Sequence, residues 1–214
     1  MKRPSTAAAR TVNVASDKYQ RILDAAIEVI AGHGFFHSRV SEIADRAGVA
    51  DGTIYLYFKN KDELLMAAID SAFHRFIVRA RAALLEISDP REKLRRIAFL
   101  QLEALGSKRN LAIVFQTELR HSAKFLSEFS HNTMVEYFDL IKTVLKEGRD
   151  AHVFREELSV TIAAHCFFGA IDEIVTNWIL SDKERDHDYH LSSLADSIVD
   201  IVLKGIETGS KHGT

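Results

Sequence analysis

Apolar residues recur at helical spacing almost from one end of this chain to the other. Ile22, Ala25, Ala26, Val29 and Ile30 make one stripe, Val40, Ile43 and Ala44 a second, and Ile54 and Phe58 a third. Steps of three and four residues place each set on one face of a helix. The first stripe predicts a helix opened by Ser16 as N-cap and ended by Gly32 and Gly34; Ser38 is placed to cap the second. Gly48 suits the bend between the second and third helices, because it reaches positive φ without a Cβ clash. Asn60 then opens a long helix from Lys61 to about Ile87, with Leu65, Ile69, Phe73, Phe76, Ala80 and Leu84 inward. Asp89-Pro90 starts the next, since proline is tolerated in a first turn. Further helices are predicted over about 91–106, 109–121, 123–148, 158–181 and 190–208, with breaks at Gly106-Ser107, Arg120–Lys124, Gly148 and Ser181–His190. The pattern holds no internal repeat and no hairpin signal. It predicts an all-α fold: a three-helix N-terminal head (16–61) with a helix-turn-helix motif at about 39–58, and a larger helical domain (62–214), about nine helices in all. Residues 1–15 lack apolar periodicity and read as a disordered arm carrying Lys2, Arg3 and Arg10.

The last two helices differ from the rest. In the final one Leu191, Leu194, Ile198, Ile201 and Gly205 follow a coiled-coil-like 3-4-3-4 spacing, with Val202 beside them. The penultimate one is apolar over more than half its circumference, from Val160 through Phe167, Phe168 and Ile171 to Trp178. A helix so widely apolar has to be covered on two sides. The body's own core is one cover and a second subunit the other, with Gly169 permitting close helix approach.

Composition narrows the class. A single cysteine, Cys166, excludes an internal disulfide and a cysteine-rich zinc site. No apolar run approaches the roughly 20 residues of a membrane span, and the N-terminus has no apolar signal core, so a cytoplasmic protein is expected. Residues 1–61 hold nine Lys/Arg against six Asp/Glu (+3), and residues 62–214 hold nineteen against twenty-four (−5), within a net charge of −2. A modestly basic head on an acidic body suits phosphate contact at one end only. No nucleophile elbow, P-loop, dinucleotide fingerprint or His-Glu-x-x-His is present, and adjacent Asp172 and Glu173 point about 100° apart on a helix. No enzymatic activity is expected. The run Asp186-His-Asp-Tyr-His190 reads as a solvated connection, His33, His37, His121 and His131 share no ligand spacing, and no metal is expected.

The most telling stretch is Gly48-Val-Ala-Asp-Gly-Thr-Ile-Tyr-Leu-Tyr-Phe-Lys-Asn-Lys61. Ile54 and Phe58 turn inward onto Val40, Ile43 and Ala44; Thr53, Tyr55 and Tyr57 point elsewhere, with Lys59 and Lys61 just beyond. An apolar back and a polar-aromatic front tipped with lysines are what a helix needs to lie in a major groove. With Ala25-Ala26, Gly34-Phe35, Val40–Ala44 and Lys61-Asp-Glu-Leu-Leu65, this stretch resembles the DNA-binding head of the TetR family of bacterial transcriptional regulators. Ala50 departs from the Ser or Thr cap of many members, which leaves Asp51 to favour the free N–H groups there.

The resemblance implies specific roles. Arg39 and Ser41 lie where the family touches backbone or bases at the start of its second helix. Asp51, Gly52, Thr53, Tyr55, Leu56 and Tyr57 fall at groove or phosphate positions, and Lys61 matches a phosphate-gripping lysine. Which of them reads a base stays open; Tyr55 is also read as partly structural, its ring under the helix. A homodimer on a pseudo-palindromic double-stranded operator is implied, paired through the last two helices by Trp178, Leu191, Leu194, Ile198, Ile201 and Val202.

In the body, Leu111–Ser122 and Phe168–Trp178 are similar to the TetR-type repressors of fatty-acid degradation, which implies long-chain acyl-CoA as the effector, no cofactor, and release from DNA on binding. Eight of thirteen phenylalanines lie beyond residue 90. Phe115, Leu119, Phe138, Phe167, Phe168 and Ile171 are the expected acyl walls, and Phe99, Phe125, Phe129 and Phe154 complete the aromatic set. Arg120 and Arg109, with Lys108 and Lys124, are the expected partners of the CoA phosphates. Two other readings fit the same residues: a TetR-type sensor of another hydrophobic molecule, and an acyl-CoA-binding protein without specific DNA binding.

Overall fold

A computed structural model describes residues 6–119, 133–181 and 190–206. Nine α-helices lie among them: α1 (Thr6–His33), α2 (Val40–Ala47), α3 (Asp51–Tyr55), α4 (Lys61–Leu84), α5 (Pro90–Gly106), α6 (Arg109–Val114), α7 (Thr133–Asp150), α8 (Val160–Leu180) and α9 (Ala195–Ile206). A π-helical turn, Phe115–Leu119, continues α6, and a 3₁₀ turn, Leu191–Leu194, leads into α9. Helix α1 reaches back to Thr6, so Ser16 lies inside it and is no cap. Three alanines at 7–9 carry helix propensity into the segment expected to be an unstructured arm.

Local chemistry explains most boundaries. Ser38 does not cap α2: its hydroxyl donates to the Phe35 carbonyl at 2.8 Å, and Arg39 holds the N-cap position in extended conformation. There the Glu42 carboxylate accepts the Arg39 N–H at 2.9 Å, half of a capping box. Gly48 closes α2 at φ 67°, a conformation that penalises any Cβ. Ala50 precedes α3 with no side-chain cap, and Asp51 in its first turn supplies the favourable charge. At α4 the Asn60 Oδ1 accepts the Glu63 N–H at 2.8 Å while Glu63 accepts the Lys59 N–H at 2.7 Å. Asp89 does the same for Arg91 at α5, with Pro90 in the first turn.

Two apolar clusters result. The head cluster joins α1, α2 and α3 through Ile22, Ile30, Ile43, Ile54 and Phe58, each close to fully buried. It also draws in Leu64, Leu65 and Ile69 of α4 and Val114, Phe115 and Leu119 from α6 and its π turn. In packing terms the head therefore does not stop at Lys61. Each such side chain contributes about 1.5–3 kcal/mol by burial, enough to make α4 and α6 part of the head's foundation. The second cluster packs the rest of α4 with α5, α7, α8 and α9 around Tyr137, Phe154 and Phe167.

Gly148 does not break α7, which runs on to Asp150. A Cβ at 148 would stand 2.1 Å from the Phe154 ring, so the glycine makes room for that ring where the chain turns back. Helix α9 is fastened to α5 by Arg95, whose guanidinium bonds Asp200 and lies within 3.6 Å of Asp196.

Candidate nucleic-acid interface and effector cavity

The front of the head is built on two anchors. Ile54 and Phe58 are buried, which turns the residues between them outward: Tyr55 is 57% exposed and Leu56 82%. Tyr57, at 37%, is held edge-on by the Tyr19 ring of α1 at 5.6 Å between centroids. Tyr19 lies equally close to Phe58, and burial, with Glu63 and Asp70 nearby, raises its pKa and keeps it a neutral phenol. The partly structural tyrosine is thus Tyr57, and Tyr55 is the outward one. Thr53 is half-buried, while Arg39, Ser41, Asp51 and Gly52 are exposed. No heavy atom lies within 4 Å of where a Cβ on Gly52 would stand, so nothing inside the protein demands a glycine there.

Lys61 is the exception among the expected DNA contacts. Its ammonium donates to the Phe35 carbonyl and, at 2.8 Å, to the Ser38 carbonyl, and it sits 4.5 Å from the Phe35 ring centroid. In this structure the amine ties the first turn of α4 to the α1–α2 connection. The positively charged donor holds the segment that presents Arg39.

Behind the head, a small apolar cavity of about 40 Å³ lies between α4, α5, α6, α7 and α8. Its walls include Phe73 and Phe76 of α4, Leu105, Phe115 and Tyr137. Phe73 and Phe115 touch at 5.2 Å between ring centroids, one ring from α4 and the other from the π turn. Three polar side chains reach the wall. The Tyr137 hydroxyl donates to Gln101 at 2.6 Å, and Asp172 accepts from Gln116 at 2.7 Å. Burial holds the Tyr137 phenol far above its usual pKa. The Tyr137 hydroxyl, the Gln101 carbonyl oxygen and one Asp172 oxygen are thus already bonded within the protein, which lowers what an apolar guest would have to desolvate.

Of the expected acyl-wall residues, Phe115 lines this cavity. Leu119 is buried in the head cluster, and Phe167 and Ile171 in the body core. Phe138 and Phe168 are half-buried at the core's edge, Phe138 stacked on His165 at 4.4 Å. Phe73, Phe76 and Tyr137 line the cavity without having been expected there; helical spacing marks the first two only as inward on α4. Arg109 and Lys108 line a cleft of about 420 Å³ that adjoins the cavity across Ala72 and Leu111, with Arg75, Asp24 and Glu28 also on its walls. Arg109 also donates to the Ile179 carbonyl at 3.1 Å and lies over Trp178. Arg120, Lys124, Phe125, Phe129 and the stretch 186–189 lie outside the described residues.

The residues expected to pair subunits divide between the subunit's core and its surface. Leu191 and Ile198 are buried in the subunit's own core, because α9 turns that face onto α5 and α8. Leu194, Val202 and Trp178 are half-buried, and Ile201 is 74% exposed. On α8 an exposed stripe runs through Ile162, Cys166, Gly169 and Leu180. No helix among the described residues is long and apolar enough to cross a membrane.

A short outward-facing helix after a glycine bend, seated on two others and continued into a helical body with an internal apolar cavity, defines a one-component helix-turn-helix regulator. Residues 22–68 match the family described as bacterial regulatory proteins, tetR family, and residues 69–205 match the YsiA-like protein C-terminal region. The chain belongs to the TetR family of transcriptional regulators, and it is not an enzyme.

Its relatives narrow the branch to the regulators of fatty-acid metabolism. The fatty acid metabolism regulator protein of Bacillus subtilis is 39% identical over 189 residues, spanning 88% of this chain and 95% of the relative. The crystal structure of the regulator FadR from Bacillus subtilis in complex with stearoyl-CoA superposes with a TM-score of 0.82 at 39% identity, covering 88% of this chain and 100% of that one. The fatty acid degradation regulator FadR from Bacillus halodurans gives 0.80 at 38% identity, with 87% and 98% covered. The chain is a homologue of these FadR regulators.

Proposed function

We propose that this protein is a homodimeric repressor that holds a pseudo-palindromic operator near genes of fatty-acid degradation and leaves it when long-chain acyl-CoA enters the body. The observation that carries the reading is the placement of Phe73 and Phe115. Both line the cavity, and both belong to elements that pack into the head.

Ligand pockets usually span about 300–1,000 Å³, so a cavity of about 40 Å³ has to be opened by its guest. An acyl chain that parts the Phe73–Phe115 pair displaces α4 against the π turn, and with them the floor of the head. The two heads then no longer match half-sites set about 34–36 Å apart. Each buried methylene contributes about 0.8 kcal/mol. A hundredfold loss of operator affinity needs about 2.7 kcal/mol of coupling, which three or four methylenes supply. Stearoyl-CoA in the Bacillus subtilis relative supports a ligand of this chemistry. Such a regulator works in the cytoplasm.

The exposed stripe of α8 with Ile201 and Val202 of α9 is the pairing face in this reading. Arg39, Ser41, Asp51, Gly52, Thr53, Tyr55, Leu56 and Tyr57 face the DNA. The test is release of the gene's own upstream operator by palmitoyl-CoA, set against palmitate and CoA alone. Release by palmitoyl-CoA only is expected. Retention of DNA under all three would remove the ligand assignment, and release by palmitate would favour a sensor of free fatty acids.

A further inference from the structure

Leu56 is the most exposed large apolar residue of the recognition segment, and it has nothing to offer water. It is 82% exposed between Tyr55 and the Tyr19-held Tyr57, directly after the last residue of α3. Its backbone N–H donates to the Thr53 carbonyl at 3.2 Å, which carries the helical backbone of α3 one residue further and so sets the direction of its Cα–Cβ bond. The buried pair Ile54 and Phe58 fixes the roll of the segment. The leucine therefore stands on a fixed backbone and presents its isobutyl group outward beside Tyr55.

An isobutyl group cannot donate or accept a hydrogen bond, so neither phosphates nor the polar base edges reward it. The apolar feature of the major groove is the thymine C5-methyl. Its neighbours are chemically different. Tyr55 and Tyr57 end in hydroxyls suited to phosphates, and Thr53, which also carries a methyl, is half-buried.

We propose that Leu56 is a specificity-determining residue that reads one thymine per half-site through that thymine's C5-methyl group. The inference rests on the operator-binding reading above, and it assigns a base chemistry to one residue within that reading. Losing a methyl contact is worth about 0.8 kcal/mol, or about fourfold in affinity; two half-sites together give about fifteenfold.

The experiment replaces each operator thymidine in turn, in both half-sites, by deoxyuridine, which removes the methyl and nothing else. Binding of the full-length protein is measured at fixed salt, alongside Leu56→Ala and Thr53→Ser. The expected result is one symmetry-related thymine whose replacement weakens the wild-type protein about fifteenfold. Leu56→Ala binds the thymine and uracil operators equally, and Thr53→Ser keeps the discrimination. An unfolding temperature of Leu56→Ala equal to wild type, expected for so exposed a side chain, confirms that the variant is folded. The proposal is overturned if no deoxyuridine weakens wild-type binding, or if Leu56→Ala retains the same sensitivity, which would pass the methyl to another residue. Failure of wild-type protein to bind unmodified operator would overturn the operator reading itself, and this proposal with it.

Discussion

Lys61 shows how far a residue's role depends on what lies beside it. In sequence it is a lysine at the start of a helix, the position of a phosphate grip. In space its ammonium bonds the carbonyls of Phe35 and Ser38, residues 26 and 23 positions away. No local pattern could have announced those partners. Hydrogen bonds to charged groups contribute about 1.5–3 kcal/mol, so Lys61→Met should lower the unfolding free energy by about that amount in urea titrations. A residue serving DNA alone would leave stability unchanged and lower only operator affinity. Glu42 makes a second case. Its carboxyl sits below the usual carboxylate range, first because the Arg39 N–H bonds it, with His33 adding to the effect against some desolvation. A depressed folded pKa means the stabilisation is present above the ordinary carboxylate range and is lost as pH falls through the depressed value. Glu42→Ala should therefore be less stable than wild type at neutral pH, and the two melting curves should converge on acidification. A gap that persisted at low pH would assign Glu42 another role. The buried anchors Ile54 and Phe58 were readable because helical spacing alone specifies them. The exchange of roles between Tyr55 and Tyr57 was not, because it depends on Tyr19 arriving from α1.

Among the elements, those with strong caps and long stripes follow the sequence closely, and the departures have identifiable causes. Asn60, Asp89-Pro90 and Gly48 mark real boundaries because each satisfies or terminates a helix end chemically. Ser38 misleads because its hydroxyl has a nearer acceptor in the Phe35 carbonyl. Gly148 misleads because a glycine inside a helix looks like a stop until Phe154 is seen against it. Replacing Gly148 by alanine should cost at least the roughly 1–3 kcal/mol typical of overpacking, read as a lowered unfolding temperature. Combining it with Phe154→Leu should restore part of the loss. Equal destabilisation in both backgrounds would mean that the ring is not the cause. The π turn at Phe115–Leu119 carries no sequence signature. Yet it directs Phe115 into the cavity, Gln116 to Asp172 and Leu119 into the head cluster. The aromatic residues expected at the acyl walls all lie beyond α4, yet Phe73 and Phe76 of α4 line the cavity, because that helix runs through both clusters.

Across the whole molecule, the all-α fold class was evident from periodicity, and the Gly48–Lys61 stretch marked the helix-turn-helix head; the ligand role expected of the body came only from its family resemblance. The 3-4-3-4 stripe on α9 does not by itself specify a pairing face, since such a stripe satisfies a subunit's own core as well as a partner. Exposure moves the emphasis to Ile201 and to Ile162 and Leu180 of α8, the α8 pair being 65% and 75% exposed. Ile162→Glu should leave the melting temperature of the isolated subunit unchanged and give a monomer in sedimentation. Two linked heads gain about 10²–10⁴ over one, so operator affinity should fall at least a hundredfold. A variant that stayed dimeric would place the pairing surface elsewhere.

If one body cavity and one DNA face share a single equilibrium, as proposed, their ligands must be reciprocally coupled. Binding of palmitoyl-CoA should be titrated with and without saturating operator, and operator binding with and without saturating palmitoyl-CoA. Linkage requires the same factor in both directions. Operator should weaken palmitoyl-CoA binding by the factor, on the order of a hundredfold, by which palmitoyl-CoA weakens operator binding. An acyl-CoA affinity indifferent to DNA would contradict it.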